Sequence, residues 1–368
     1  MGALTGYEIA VLSDTATIPA LIATPGFERT PFQSPSWLEA WFAVFQPAGM
    51  KCWVGVIRKS DGGQPLFLLP LVRERRHGVT VLTLPDRGVS DYHSAFVSPE
   101  FAPAPETMNR LWDALVAMLP PADMLSIERV LPETAERMRL AHRMRPSNIT
   151  ARRLPIDSDF SQLRDRRFDP STARRLIKNR RKLENKGRLT FDFVTGAEAL
   201  ADLEELLDWR QQRFCDVNDG GDAANQRTFY RRLVEEGSLA RVGRLRLDDQ
   251  LIGGCLGLVE GGRILVLMIA YNKSFANWAP GLLTFESCIA SAAELGLTVF
   301  DLTIGAESYK QLLGADTTAL LELRQPLTFS GRLVLALLDL KPKVRCAAER
   351  LGLLGFIQRL RRKAAAKS

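Results

Sequence analysis

The sequence lacks the patterns that mark several large classes of protein. It has no run of about 18 uncharged apolar residues, so no segment reads as a membrane-spanning helix. Its opening, MGALTGYEIAVLSD, has no basic stretch followed by an apolar one, which argues against a secretory signal and for a cytoplasmic protein. The five cysteines, Cys52, Cys215, Cys255, Cys288 and Cys346, are scattered without a CxxC pair, which argues against a disulfide framework and a cysteine zinc site. The three histidines show no HxxxH or HExxH spacing, and no metal is expected. The absence of a G-x-S-x-G elbow and of a G-x-x-x-x-G-K loop argues against a serine hydrolase and a P-loop nucleotide hydrolase.

What is present is an ordinary globular composition, 46% hydrophobic and 25% charged over 368 residues, enough for two cores of usual size. The net charge of +7 is concentrated in two places. The segment Ser330–Ser368 carries ten Lys/Arg against Asp339 and Glu349, and Ser171–Arg188 carries eight basic residues against one Glu. The rest of the chain is close to neutral, so these runs point to local tasks.

Apolar periodicity alternates between two and about 3.6 residues along the chain. In the first half YEIAVL reads as a strand and SPSWLEAWFAVF as a helix, with Ser34 as cap and Pro35 in the first turn. CWVGVIRK and PLFLLPLVRER form a hairpin about Ser60–Gly63. VTVLTLP, SAFVS, MLSIERV and NITARRLPI are further strands, separated by helices over 105–119 and ETAERMRLAHRM. Ile156–Pro170 reads as a connection between domains. A basic helix, STARRLIKNRRKLEN, then leads a β-α-α-β-β-β-α-β-α-β series with a three-stranded meander turning at Asp248-Asp249 and Gly261-Gly262. This order is not doubly wound. The expected class is therefore α/β, an α+β mixed sheet, with domains at 1–155 and 165–328 and a helical tail at 330–368. The halves share no residue-level repeat, so any duplication is one of architecture.

The segment Ala270–Asp316 carries the chemistry. A strand ends at Tyr271, a loop follows through Trp278, and a helix opens at Pro280-Gly281-Leu282. Proline suits a first helical turn, and a glycine beside it lets a ligand approach the amides and the positive end of the helix dipole, a setting for phosphate. The same Pro-Gly can equally begin a buried amphipathic helix. Elsewhere, Asp91-Tyr92-His93 is the one place where a histidine lies next to an acid, a candidate acceptor site. The basic helix sets Arg174, Lys178, Arg181 and Lys182 on neighbouring turns, either a solvated face or a docking surface for an anionic substrate. No aromatic residues are interleaved with them, so nucleic acid is the weakest reading of that face.

The order W-x-P-G-x-L, helix, G-x-x-x-F-D, G-x-E-x-Y-K, with Pro280, Gly281, Phe300, Asp301, Gly305, Glu307, Tyr309 and Lys310, resembles the CelD-type acetyltransferases of cellulose biosynthesis. These are a double-GNAT group of the GNAT acyltransferase superfamily, similar to the Fem aminoacyltransferases. Phe32, Trp37, Trp41, Asp91-Tyr92 and the basic helix fit the same pattern, and the resemblance spans most of residues 5–328. It implies two tandem GNAT-like domains. It also implies an N-acyltransferase that uses acetyl-CoA or another acyl-CoA on a nucleotide-sugar or lipid-linked sugar in bacterial exopolysaccharide or envelope biosynthesis. In that reading Tyr309 protonates a leaving thiolate, Lys310 holds a carboxylate or phosphate, and Asp301 or Glu307 serves as base. Trp278, Pro280, Gly281 and Leu282 bind the donor, and Asp91, Tyr92, Tyr271, Arg174 and Lys178 the acceptor. The loop Asn277–Leu283 departs from the R/Q-x-x-G-x-G/A pattern of coenzyme A binders, with one glycine and no Arg or Gln at its start. A Fem-like transferase drawing on aminoacyl-tRNA, and a non-catalytic module that binds an anionic nucleotide to regulate polysaccharide production, are the alternatives. The tail, with two leucine-rich stretches separated by Pro342 and an Arg-Lys end, is expected to pack on the protein or to lie on the inner-membrane surface as a peripheral anchor.

Overall fold

The computed structural model describes residues 2–4, 6–13, 17–46, 50–214, 222–305 and 308–350. The first half runs β1 (Gly2–Leu4), β2 (Tyr7–Leu12), α1 (Thr17–Ile22), α2 (Pro35–Phe45), β3 (Cys52–Lys59), β4 (Pro65–Arg76), β5 (Val79–Thr83), β6 (Phe96–Val97), α3 (Pro105–Ala117), β7 (Met124–Val130), α4 (Pro132–Arg137) and β8 (Arg145–Pro155). The second runs α5 (Phe160–Arg167), α6 (Pro170–Glu184), β9 (Leu189–Val194), α7 (Leu200–Phe214), α8 (Ala223–Glu236), β10 (Ala240–Leu247), β11 (Gln250–Glu260), β12 (Arg263–Tyr271), α9 (Pro280–Glu294), β13 (Val299–Ile304), α10 (Ser308–Leu312) and β14 (Asp316–Pro326). The helix α11 (Phe329–Arg350) follows.

All the main strands lie in one mixed sheet, ordered β1-β2-β3-β4-β5-β7-β14-β8-β13-β12-β11-β10-β9, with β6 on β4. Outward from the β14·β8 pair the two halves run in mirrored order, with β1 an extra strand at the edge of the first. In each half an antiparallel meander meets a later strand in parallel after one helical crossover, β5 with β7 through α3 and β12 with β13 through α9. The chain is thus one α/β architecture built twice. The last strands of the two halves are exchanged: β8 pairs with β13 and β14, while β14 pairs with β7 and β8.

Helix α2 shows how local sequence serves this frame. The Ser34 hydroxyl accepts from the Trp37 amide at 3.3 Å, and Pro35 occupies a position whose N–H would have no helical partner. Trp37, Trp41 and Phe45 recur every four residues and are fully buried against the second half, with Trp37 4.7 Å from Phe229 of α8 in an edge-to-face pair. Each such ring contributes on the order of 2–3 kcal/mol.

Three expected elements differ. The connection over 156–170 contains α5, because Asp159 accepts from the amides of Ser161 and Gln162 and caps a helix there. Its closing proline opens α6 instead of extending a loop. The helix expected over ETAERMRLAHRM stops at Arg137, where Arg139 turns into the left-handed region (φ 57°), and resumes as a 3-10 turn at Ala141–Arg143. Pro342 does not end the tail helix: α11 runs through it to Arg350, since an interior proline forfeits one bond and bends a helix without having to terminate it. The second leucine-rich stretch, 351–363, lies outside the described residues.

The exchange makes a testable demand. A fragment of residues 1–157 holds β8 without either neighbour, and 158–368 holds β14 without either neighbour. Neither fragment alone should show a cooperative urea transition, and mixing the two should restore one. A cooperative transition in a single fragment would contradict the exchange.

Candidate active site at the seam between the halves

Strands β12 and β13 pair over three positions only, from Arg263 with Val299 to Leu265 with Asp301, and then diverge. Asp301 is the last paired residue. Beyond it the register of β13 against β8 shifts, and Thr303 takes a left-handed conformation (φ 57°). For a β-branched side chain this costs on the order of 1–3 kcal/mol. The conformation is held by its hydrogen bonds: the Thr303 amide donates to Asp301 Oδ1 at 2.7 Å, and its hydroxyl donates to the Val266 carbonyl at 3.3 Å, across the gap.

The first half reaches into this gap. The Tyr92 hydroxyl, buried beneath Phe32, donates to Asp301 Oδ1 at 2.7 Å. Burial and the neighbouring Asp301 raise the pKa of Tyr92 well above its ordinary value, so it remains a donor. Arg153 of β8 stands 3.8 Å from Asp301 Oδ2. Asp301 is 1% exposed, and burial pushes its carboxyl up to about 6 against the pull of Tyr92, the Thr303 amide and Arg153. Asp91 is half-buried. Burial pushes it up to about 6 as well, opposed by the nearby Thr303 and by the charges of Arg129 and Lys310. The two carboxyls influence each other, so midpoints near 6 belong to the pair.

A cavity of about 290 Å³ opens farther along the same divergence, lined by Ile269, Tyr271, Ala276, Ala279, Pro280, Gly281, Leu282, Phe285 and Tyr309. The Tyr309 ring stacks on Phe285 at 5.2 Å. Tyr271 lies over Gly281, where a Cβ would come within 3.1 Å of its ring. Ala279, left-handed at φ 52°, precedes α9. Leu282 and Leu283 both donate to its carbonyl at 3.1 Å, so the amide that the first turn offers a ligand is that of Gly281. Trp278 stands beside this opening and not on the cavity wall. Its carbonyl accepts from Asn179 of α6 at 3.0 Å, and Lys186 lies 5.6 Å from its ring centroid.

The other expected residues divide. Arg174, Lys178, Arg181 and Lys182 are exposed and line a shallow groove of about 340 Å³ along α6, whereas Arg180 turns inward to Glu286 (3.0 Å) and Ser287 (2.7 Å) of α9. Lys310 is not open to a bound carboxylate or phosphate: it is 3% exposed, and its ammonium donates to the Ile304 carbonyl. His93 is no acceptor site. It is fully buried, accepts from the Glu128 amide through Nδ1, sits against Arg129 and Asp86, and is held neutral chiefly by burial. Glu307 lies outside the described residues. Thr303, Arg153 and Phe285 were not anticipated. Phe285 is an apolar helix residue like its neighbours, Arg153 reaches the site only through the strand exchange, and a left-handed threonine has no signature in sequence.

The first half repeats the helix opening without its chemistry. Helix α3 also starts at Ala-Pro, but Glu106 follows where α9 has Gly281, which places a negative charge at the end that would attract an anion.

The second half thus joins a divergent parallel pair, a crossover helix opening beside it and a meander in one α/β unit. Residues 170–311 match the family model of the acetyltransferase (GNAT) domain. Among solved structures, FemX is similar at 14% identity, over 85% of this chain and 97% of that one, with a TM-score of 0.56. A conserved protein of unknown function from Bacteroides thetaiotaomicron aligns at 12% identity over 87% and 100% of the two chains, with a TM-score of 0.54. Both likenesses are of fold. No curated protein matches the chain in sequence.

The seam bond predicts a titration. A carboxyl whose folded pKa is raised favours the folded state most at low pH, and that contribution falls as pH rises through about 6. Carboxyl carbon NMR should show Asp301 titrating near pH 6. In Tyr92→Phe, which removes a donor to the charged form, the midpoint should move upward. A midpoint that stays or falls would show that the hydroxyl does not hold this carboxylate.

Proposed function

We propose that this protein is an N-acyltransferase using acetyl-CoA or another acyl-CoA, with residues 165–328 as its catalytic unit and residues 1–155 lending Asp91 and Tyr92. The observation that supports this reading is a mainly apolar cavity at the α9 opening, beyond the end of the β12–β13 pairing at which Asp301 accepts from Tyr92 of the first half. The cavity suits an acyl group and the slender arm that bears it, the Gly281 amide suits a phosphate, and Lys186 beside Trp278 supplies a cation that the single-glycine loop lacks. Acyl-CoA, when bound, supplies the activated thioester.

The chain's own groups account for proton movement. Both Asp301 oxygens have partners deep in the fold, so its part is to position Tyr92 and Thr303. Asp91, half-buried where Asp301 is fully buried, is our candidate to take a proton from an acceptor ammonium. Tyr309 lines the cavity, which supports it as the group that protonates the departing sulfur. The exposed groove of Arg174, Lys178, Arg181 and Lys182 matches the phosphates of a nucleotide-sugar or lipid-linked sugar. We read the product as a precursor of envelope or extracellular polysaccharide, made at the cytoplasmic face of the membrane. The departure of the loop from the usual coenzyme A pattern favours a second reading, an aminoacyl-tRNA donor in the same cavity.

Acetyl-CoA at a hundred times its Kd should stabilise the protein by about 2.7 kcal/mol, measurable as a rise in melting temperature. Gly281→Val, whose side chain would crowd Tyr271 and cover the amide, should fold and lose that rise. No stabilisation of the wild type by acetyl-CoA or free coenzyme A would remove the acyl-CoA donor. An unchanged rise in the variant would remove the α9 opening as its site.

A further inference from the structure

Six large apolar side chains stand exposed among the described residues, and four of them are on α11: Phe329 (79%), Leu333 (54%), Leu337 (54%) and Leu340 (51%). Spaced by four, four and three residues, they form a single stripe. The helix is anchored by its other side. Val334 packs on Val79, Val81 and Met124, and Arg145 grips Asp339 with two bonds of 3.0 and 2.8 Å. The outward stripe is therefore not the face by which α11 holds to the protein.

The charge of the segment indicates what covers it. Of the two acids in Ser330–Ser368, Asp339 is neutralised by Arg145, while ten basic residues share the same stretch. Arg332, one turn from the stripe, is exposed. A helix presenting leucines outward in a strongly basic segment complements a surface that is apolar within and anionic at its boundary. No described helix is long and apolar enough to cross a membrane, so the fit is to a surface and not to a span.

We propose that Phe329, Leu333, Leu337 and Leu340 lie in the interface of an anionic membrane, to which the net positive charge of the segment draws them. This deepens the envelope-precursor reading by giving it a location, but its evidence is independent of the transfer chemistry.

The test uses the full chain and vesicles of phosphatidylcholine with and without phosphatidylglycerol. The wild type should sediment with the anionic vesicles at low salt, release as salt rises, and stay soluble with the neutral ones. Leu333→Asp/Leu337→Asp, at exposed positions, should keep its melting temperature and its response to acetyl-CoA while binding the anionic vesicles about tenfold more weakly or worse. Equal binding by the double variant would mean that the basic residues act without the stripe, and would overturn the proposal. So would absence of wild-type binding at low salt, or a concentration-dependent dimer that the double variant abolishes, since a second copy would then cover the stripe. Loss of vesicle binding with the acetyl-CoA response intact separates this surface from the donor site.

Discussion

The β14·β8 pair is the constraint on which the rest depends. Each of these strands closes the half to which it does not belong in sequence. The backbone bonds between them tie the two halves into a single sheet, which sets the relative position of every side chain at the seam. Without that register the Tyr92 hydroxyl would have no reason to fall 2.7 Å from Asp301, some 200 residues away along the chain, and Arg153 would not stand beside the same carboxylate. The aromatic contact of α2 with α8 reinforces the arrangement on one face of the sheet.

From that frame follows an uneven division of labour. Both halves have a parallel pair that parts after three residues and a helix that opens at Ala-Pro. In the second half the gap is bordered by a cavity, a glycine and strained Thr303. In the first, Glu106 stands where α9 has its glycine, and the loop around His93 bonds to the end of β7. The strain at Thr303 belongs to this arrangement. A threonine in the ordinary extended conformation would carry its amide away from Asp301, and the carboxylate would lose a donor that compensates its burial.

The sequence made the elements readable because most are strongly patterned. The Ser34-Pro35 start, the Ser60–Gly63 turn, the meander and the Pro280 opening all lie where their turn residues and periodicity indicate. It did not reveal how the halves interlock. A strand that pairs with its own half and one that pairs with the other have the same apolar alternation, so β8 read as the end of the first domain when both of its neighbours are in the second half. The site was legible in part for the same reason. Gly281, Tyr271 and Tyr309 share a cavity because local order from β12 through α9 to α10 brings them there. The position of Asp91, the burial of Lys310 and the inward turn of Arg180 depend on contacts from other elements, which a basic or acidic letter does not announce.

The proposed reaction engages one carboxylate from each half, Asp91 and Asp301. It is tested most directly by acyl transfer from acetyl-CoA to an amino-sugar nucleotide, followed by mass spectrometry in the wild type, Asp91→Asn, Asp301→Asn and the double variant. Groups that act as a unit are grossly non-additive. Each single variant should lose nearly as much rate as the double. Losses that multiply independently, or full activity in either single variant, would contradict it.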